Sequence, residues 1–338
     1  MKPLLALLFF GGLCLAIALI AWLGLGAVAE VMAVAGARLF WLVPYYLLPI
    51  LCIALSWRTL FEVGRAPPLR HLYSGAWVGV SVNWLLPVAQ IGGEFVRVRW
   101  LLQRGVPGLE AGSTVVIDKT IHALAQVIYT LAGLALLVVF TGRPDVTILA
   151  LAACLAVGGG IFLVYRVQRA GPFEALASLA RRLSRSPALA DLVSEAPSLD
   201  AAILEGYGRR WQVVIAFGWR MCFRIAVAGE IWLALRFMGH PVSLLEAIFL
   251  ESLGQAARGL AFAVPAGIGV QESAFVILGA TLGLSPEVSL AISLAKRFRE
   301  LAVGLPGLLA LQLSEGRALA GLIGAGRSGT RRGRDAHR

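Results

Sequence analysis

The 338-residue chain is too apolar for an ordinary soluble protein, since 59% of its residues are hydrophobic and 14% are charged, against about 45–50% and about 25% in soluble domains. This composition excludes a disordered chain, a fibrous protein and a typical soluble enzyme. The 30 Lys and Arg outnumber the 19 Asp and Glu and give a net charge of +11. Because this excess lies in loops between apolar runs, it indicates membrane orientation rather than nucleic-acid binding.

The first apolar run, residues 4–28, is long enough for a membrane span, which needs about 20 residues. A cleavable signal peptide is the alternative because residues 27–29 (AVA) resemble a cleavage site, but the apolar cores of such signals hold about 7–15 residues. We therefore favour a retained span. Five more full spans are predicted at about 39–61, 112–140, 146–166, 211–238 and 287–313.

Two further apolar segments, about 75–104 and 244–284, are interrupted in the middle, and each half is too short to cross a bilayer. The predicted helix breaks are Pro87, Gly92 and Gly93 in the first segment and Pro265, Gly267 and Gly269 in the second. Each segment is therefore predicted to form a re-entrant helical hairpin. Interrupted helices occur at membrane depth only where the freed backbone faces protein or water, so a cavity is expected.

The two interrupted segments match each other at a constant offset of 178 residues. The matching pairs are Pro87 and Pro265, Glu94 and Glu272, Gly105 and Gly283, and Lys119 and Arg297. Three full spans lie between the repeat blocks, about 75–124 and 253–302, so the second block enters from the opposite face. The predicted fold class is an all-α polytopic membrane protein with about six full spans and two broken re-entrant hairpins arranged as an inverted repeat.

The distribution of Lys and Arg predicts a multi-pass protein of the bacterial inner membrane with both termini in the cytoplasm. Residues 1–316 are predicted to form one integral membrane domain. Within it, about 167–210 is interpreted as an amphipathic segment on the cytoplasmic surface, with a solvated loop as the alternative. The basic segment 317–338 is predicted to be a disordered tail.

Ionised side chains inside a membrane cost about 2.5–3.5 kcal/mol each on insertion scales and normally pair or line a polar path. The candidate lipid head-group residues are Glu94, Arg97, Lys119, Arg220, Arg224, Glu272 and Arg297. Arg220 and Arg224 share one helical face and suit bidentate phosphate binding. The alternatives are that both arginines neutralise Glu230, Glu94 or Glu272, and that Glu272 only offsets a helix dipole.

Motifs for catalysis and metal binding are absent from the sequence. It has no GxxxxGK[ST] and no HExxH, and its five Asp are isolated, which leaves no motif for magnesium diphosphate. We therefore expect no catalytic residue, no metal site and no cofactor. For His122, hydrogen-bonded packing is favoured over a proton relay.

Two stretches resemble the flippase-like membrane domain of the lysylphosphatidylglycerol synthase family: NWLLPVAQIGGEFVRVRWLLQRG at 83–105, and VPAGIGVQESAFVILGATLG at 264–283 followed by AISLAKRF at 291–298. The resemblance implies re-entrant helices that move or bind anionic, modified or polyprenyl-linked lipids. Stand-alone members associated with hopanoid biosynthesis are the most similar group. Two departures are Lys119, where the family usually has Arg, and the soluble aminoacyl-transferase domain of the synthases, which we do not expect here.

These observations favour a lipid translocase, or flippase, that binds an anionic or isoprenoid head group in a cavity near the bilayer midplane. Its expected partners are membrane lipids, with lipid-biosynthesis enzymes as further candidates and no nucleic acid. One alternative is a membrane-integral transferase that acts on a lipid carrier. The other is a non-transporting scaffold of a lipid, such as hopanoid, synthesis complex.

Overall fold

The computed structural model describes residue 30 and residues 33–86, 92–142, 196–260 and 269–335, with backbone alone beyond 315. Within these ranges every regular element is a helix and no strand occurs, which agrees with the predicted all-α class. Several predicted features lie outside the described residues: the spans 4–28 and 146–166, the break residues Pro87, Pro265 and Gly267, and most of segment 167–210.

The described chain begins with a 3-10 segment, Gly36–Trp41, and continues through ten helices: α1 (Leu42–Tyr45), α2 (Leu47–Thr59), α3 (Leu69–Leu85), α4 (Gly92–Leu102), α5 (Gly108–Thr141), α6 (Ala196–Gly208), α7 (Arg210–Phe237), α8 (Leu244–Leu260), α9 (Val270–Thr281) and α10 (Pro286–Asp335). Two helical stretches within these ranges, Ala33–Thr59 and Gly108–Thr141, are long and apolar enough to cross a membrane. The first is almost continuous because the joints at Trp41 and Tyr46 keep right-handed helical angles.

Helices α3 and α4 form an antiparallel hairpin whose backbones approach closely at glycines. The Gly93 N–H donates to Asn83 Oδ1 at 2.8 Å, and the α carbon of Gly93 faces the carbonyl oxygen of Gly79. The α carbon of Gly79 also faces the aliphatic part of the Arg97 side chain, about one helical turn after Gly93. A side chain at Gly79 or Gly93 would separate the two helices, so these glycines permit the hairpin.

Replacing Gly93 by Ala is expected to lower the free energy of unfolding by about 1–3 kcal/mol, as overpacking does in tightly packed interiors. The new methyl group would overlap the carbonyl oxygen of Gly79 and the amide of Asn83, and a backbone oxygen cannot rotate aside as the end of a side chain can. Denaturant titration of the detergent-solubilised protein measures the change. Gly218→Ala on α7 is the control, because a β carbon there meets nothing within 4 Å and alanine favours the helix. Equal stability of the two variants would contradict this account.

Helices α8 and α9 form a second antiparallel hairpin. Gly254 lies against the Phe275 ring, and Arg258 Nη1 donates to Gln271 Oε1 at 3.1 Å. Gly269 precedes α9 with a φ of +84°, an angle that glycine adopts without strain. Its N–H donates to Glu272 Oε2 at 2.7 Å, so Glu272 caps the first turn of the helix.

Several structural features recur at the offset that the sequence repeat has. Helices α4 and α9 begin at Gly92 and Val270, 178 residues apart, and α5 and α10 begin at Gly108 and Pro286, again 178 apart. The turns between these helices contain Gly105 and Gly283, which have φ angles of +80° and +74°. Each copy is therefore a hairpin followed, after a glycine turn, by a long helix.

Helix α10 packs against both hairpins. Its first turns lie beside α9, where Ser293 Oγ donates to Glu272 Oε1 at 3.1 Å. Further along, Gly304 and Gly307 allow close approach to α3, and Trp77 Nε1 donates to the carbonyl oxygen of Val303 at 2.9 Å.

The disordered tail at 317–338 stays a prediction, and the backbone of α10 is helical to Asp335. Extending an existing helix adds one hydrogen bond per ordered residue without a new nucleation cost, and this segment contains helix-favouring Ala, Leu and Arg. The described end of the segment 167–210 is also helical. There α6 packs on α5, with Ile203 buried beside Ile117 and Ala216.

Candidate functional site

A cavity lies where helices α3, α4, α5, α7, α8 and α10 converge, with a volume of ≈ 120 Å³. At about 30 Å³ for each water molecule in the liquid, this is room for roughly four waters or a small polar head group. Its charged lining consists of seven cations and three carboxylates: Arg97, Lys119, Arg220, Arg224, Arg258, Lys296 and Arg299, and Glu94, Glu251 and Glu300. The described part of the chain thus encloses a polar, strongly cationic space within an apolar protein.

Most of the predicted head-group residues meet at this cavity. Five of the seven line it: Glu94, Arg97, Lys119, Arg220 and Arg224. Glu272 and Arg297 bind each other beside the cavity with an N–O distance of 3.4 Å. Arg297 also contacts Glu300, which does line the cavity, at 3.3 Å. The two repeat blocks therefore contribute their charged residues to neighbouring parts of one site.

The charged residues form two groups, and the first is centred on Asp118. We call it the Asp118 cluster; its members are Glu94, Arg97, Asp118, Lys119, His122, Arg220 and Arg224. The fully buried carboxylate of Asp118 accepts hydrogen bonds from Arg97 Nη2 at 2.6 Å and from Arg220 Nε at 3.0 Å. It also accepts one from Ser56 Oγ at 3.0 Å. A single carboxylate thus joins arginines from α4 and α7 to α5.

Glu94 links the first hairpin to the same cluster. Its two oxygens accept hydrogen bonds from Lys119 Nζ and from Arg97 Nη1, each at 2.9 Å. The guanidinium of Arg97 lies over the Trp57 ring, 4.1 Å from its centroid, where a cation–π attraction adds to the ion pairs. Arg97 is therefore held in one orientation by two carboxylates and an aromatic face.

Arg224 has no carboxylate partner within 4 Å among the described residues. Its Nη2 lies 3.0 Å from His122 Nε2, while Arg220 Nη1 lies 3.2 Å from His122 Nδ1. A neutral imidazole has only one acceptor nitrogen, so only one of these two arginine contacts is a hydrogen bond. The buried Nε of Arg224 has no hydrogen-bond partner either. His122 thus separates two arginines whose donors it cannot both satisfy.

In the second group, which we call the Glu300 cluster, every cation has a carboxylate partner, although Arg258 Nε and Arg299 Nη1 have no hydrogen-bond partner among the described residues. Its members are Glu230, Glu251, Arg258, Glu272, Lys296, Arg297, Arg299 and Glu300. Arg258 Nη1 binds Glu300 Oε1 at 2.7 Å, and Lys296 binds Glu251. Arg299 binds both oxygens of Glu230, at 2.7 and 3.0 Å. With the Glu272–Arg297 pair, four cations face four carboxylates.

The alternative in which Arg220 and Arg224 neutralise Glu230 is wrong, since Glu230 binds Arg299. Helical geometry explains the difference. At about 100° per residue, the six residues from Arg224 to Glu230 place these side chains about 120° apart around α7, and Glu230 faces α10 instead.

Five charged residues that line the cavity are absent from the head-group set predicted from sequence: Glu251, Arg258, Lys296, Arg299 and Glu300. Glu251 and Arg258 lie seven positions apart on one face of α8, a spacing that aligns side chains along a helix. The sequence signal that could have identified Glu251 and Arg258 is a pair of opposite charges, seven positions apart, within an apolar segment. Asp118, Lys296 and Arg299 stand out in the sequence as ionisable residues within spans, but their partners are distant in the chain.

Comparison with known proteins places the chain in a family. A family model described as the lysylphosphatidylglycerol synthase TM region matches residues 5–307. No curated protein and no solved structure matches the chain. The matched range covers both hairpins and every charged residue of the cavity. The chain therefore belongs to the family of the lysylphosphatidylglycerol synthase transmembrane region, and it is a membrane protein linked to lipid metabolism or transport.

Proposed function

We propose that the protein is a lipid translocase of the bacterial inner membrane, with both termini in the cytoplasm. An anionic or isoprenoid lipid places its head group in the cavity while its tails remain in the bilayer. The observation that carries this proposal is the cavity with seven cationic side chains in a member of a lipid-linked membrane family. Buried charges require counter-charges, and an anionic head group supplies them.

The repeated architecture supports a mechanism of alternating access. In this proposal the two hairpins are re-entrant and related as an inverted repeat, because three full spans separate them. Transporters of this type bind their substrate near the midplane at the repeat interface and rock one repeat against the other. The cavity, which has lining residues from both hairpins, is where such rocking would expose a head group to each leaflet in turn.

In this proposal, different residues at the cavity bind the phosphate, support the binding residues and balance the charge. Arg220 and Arg224, one turn apart on α7, hold the phosphate through charge-assisted hydrogen bonds, with Arg97 and Lys119 on its other side. Arg297 supports the site through Glu300. Glu94 and Glu272 balance these cations when no lipid is bound. None of these residues has a catalytic role in this proposal.

Head-group transfer in reconstituted liposomes tests the function. Wild-type protein is expected to move a labelled anionic or isoprenoid lipid between leaflets. Arg224→Gln is expected to slow the transfer about tenfold or more, because hydrogen bonds to charged groups contribute about 1.5–3 kcal/mol. The control is Arg236→Gln, which removes an exposed arginine from the same helix and is expected to transport normally.

Three outcomes would contradict the proposal. The first is no transfer of any anionic, aminoacylated or isoprenoid lipid by the wild type, and the second is equal transfer by wild type and Arg224→Gln. The third is turnover of a polyprenyl-phosphate donor by the wild type without transfer, which would favour a transferase.

A further inference from the structure

We propose that the head group bound in the cavity carries two negative charges on its phosphate, as a phosphate monoester or a diphosphate lipid does. This inference rests on the proposed head-group site and specifies its ligand. A phosphodiester lipid such as phosphatidylglycerol carries only one negative charge.

The first step is that the two clusters of the site differ in net charge. The Glu300 cluster is neutral, with four cations and four carboxylates. In the Asp118 cluster, Glu94 and Lys119 offset each other. Of the three remaining buried guanidinium groups, those of Arg97 and Arg220 bind the one carboxylate of Asp118, and that of Arg224 binds no carboxylate among the described residues. The described residues of this cluster carry a surplus of two positive charges.

The second step is that the apolar segments outside the described residues supply no missing carboxylate. Residues 4–28, 87–91, 146–165 and 261–268 contain neither Asp nor Glu. Glu251 is close enough to act on Arg224 electrostatically, but it already binds Lys296 and is counted in the neutral cluster. The surplus of two charges therefore persists when the apolar sequence of the whole chain is considered.

The third step is the energetic demand of these charges. An uncompensated charge is strongly unfavourable in an interior of low dielectric constant. A phosphodiester would leave one of the two surplus charges uncompensated. A phosphate monoester carries about −1.5 to −2 near neutral pH and compensates both.

The fourth step is the number of unused donors. Arg97 and Arg224 line the cavity, each is 4% exposed, and the Nε of each has no hydrogen-bond partner in the described part of the chain. Because neutral His122 can accept a hydrogen bond from only one of Arg220 and Arg224, a third arginine donor has no acceptor. A phosphate monoester has three terminal oxygens that accept hydrogen bonds, whereas a diester has two. Because Arg258 Nε and Arg299 Nη1 of the neutral cluster also lack hydrogen-bond partners, the donors are consistent with the ligand and the charge surplus selects it.

Binding to the full-length protein in detergent at pH 7.5 tests the inference by calorimetric titration. The probes are dihexanoyl phosphatidic acid, a monoester, and dihexanoyl phosphatidylglycerol, a diester with the same tails. We expect the monoester to bind about tenfold more tightly or better, as the additional buried ion pairing requires. Inorganic phosphate, the third probe, is expected to compete weakly because it has no tails.

Three variants separate charge from folding and from the number of hydrogen bonds. Arg224→Gln is expected to abolish the preference for the monoester. Arg224→Lys keeps the charge and is expected to retain most of the preference, whereas the exposed Arg236→Gln is expected to retain all of it. A folding defect would weaken the binding of both lipids and leave their ratio unchanged, which would overturn the assignment to Arg224.

The outcomes distinguish this inference from the proposed function. Equal affinity for the two lipids, with both lost in Arg224→Gln, would overturn the two-charge inference and leave the head-group site standing. Binding of neither lipid would overturn both. Inorganic phosphate that binds as tightly as phosphatidic acid would show a dianion site for free phosphate and overturn the lipid assignment.

Discussion

Replacing Asp118 by Asn is expected to lower the free energy of unfolding by about 3–5 kcal/mol, the usual cost of removing one partner from a buried ion pair. The carboxylate is fully buried and bonds to Arg97, Arg220 and Ser56. An amide keeps the size of the side chain but removes its charge, so Glu94, which is bound to Arg97 and Lys119, would be the one carboxylate left in the described cluster. Denaturant titration in detergent micelles measures the loss.

The control is Glu315→Gln, which breaks an exposed bond to Arg99 and is expected to change stability little, as surface ion pairs generally do. Dihexanoyl phosphatidic acid is expected to restore part of the stability of the Asp118→Asn variant, because its phosphate replaces the missing negative charge. A variant as stable as the wild type would show that Asp118 does not organise the site. A destabilised variant without rescue would show that the lipid phosphate does not bind there.

The second large effect is expected at Glu230 and Arg299. Both side chains are buried and joined by two hydrogen bonds, and the guanidinium lies 3.7 Å from the Tyr46 ring centroid and 4.7 Å from that of Trp84. Glu230→Leu would leave Arg299 charged and unpaired, at a cost of about 3–5 kcal/mol. Removing both charges in Glu230→Leu with Arg299→Met is expected to cost less than Glu230→Leu alone.

This difference is measured by a double-mutant cycle, with unfolding free energies of the wild type, both single variants and the double variant. Stable double variants also permit a transport assay, because this pair belongs to the neutral Glu300 cluster. Strict additivity of the two single changes would show that the pair is not coupled. In that case the burial of Arg299 would have to be explained by its aromatic neighbours alone.

The positions of the hairpins could be predicted from sequence because they depend on local chemistry. Proline and glycine interrupt each apolar segment, and each half is too short to cross a bilayer. The helices after the breaks begin at Gly92 and Val270, which matches the offset of the sequence repeat. Glu94 and Lys119, which the repeat matches to Glu272 and Arg297, form an ion pair.

The pairing of charges could not be predicted in this way because it depends on tertiary packing. Asp118 contacts residues 21 positions before it and 102 after it, and Glu230 and Arg299 lie 69 positions apart. Sequence spacing identified Arg220 and Arg224 as one helical face but could not show which carboxylate faces them. The surplus of positive charge in the Asp118 cluster depends on which carboxylate each cation contacts in the folded chain.

Helix α10 contacts both hairpins, and Pro306 lies within the part that packs on α3, between Val303 and Gly307. Before it, Ser293 and Arg297 bind Glu272 of the second hairpin; after it, Gly307 lies against α3 and Glu315 binds Arg99 of α4. Proline removes one backbone hydrogen bond from a helix, and a side chain that bonds to the helical ladder weakens it further, as Trp77 does at Val303. Bending is therefore easiest at this point. Because α10 contacts both hairpins, a tilt of one hairpin against the other would be accompanied by bending of this helix.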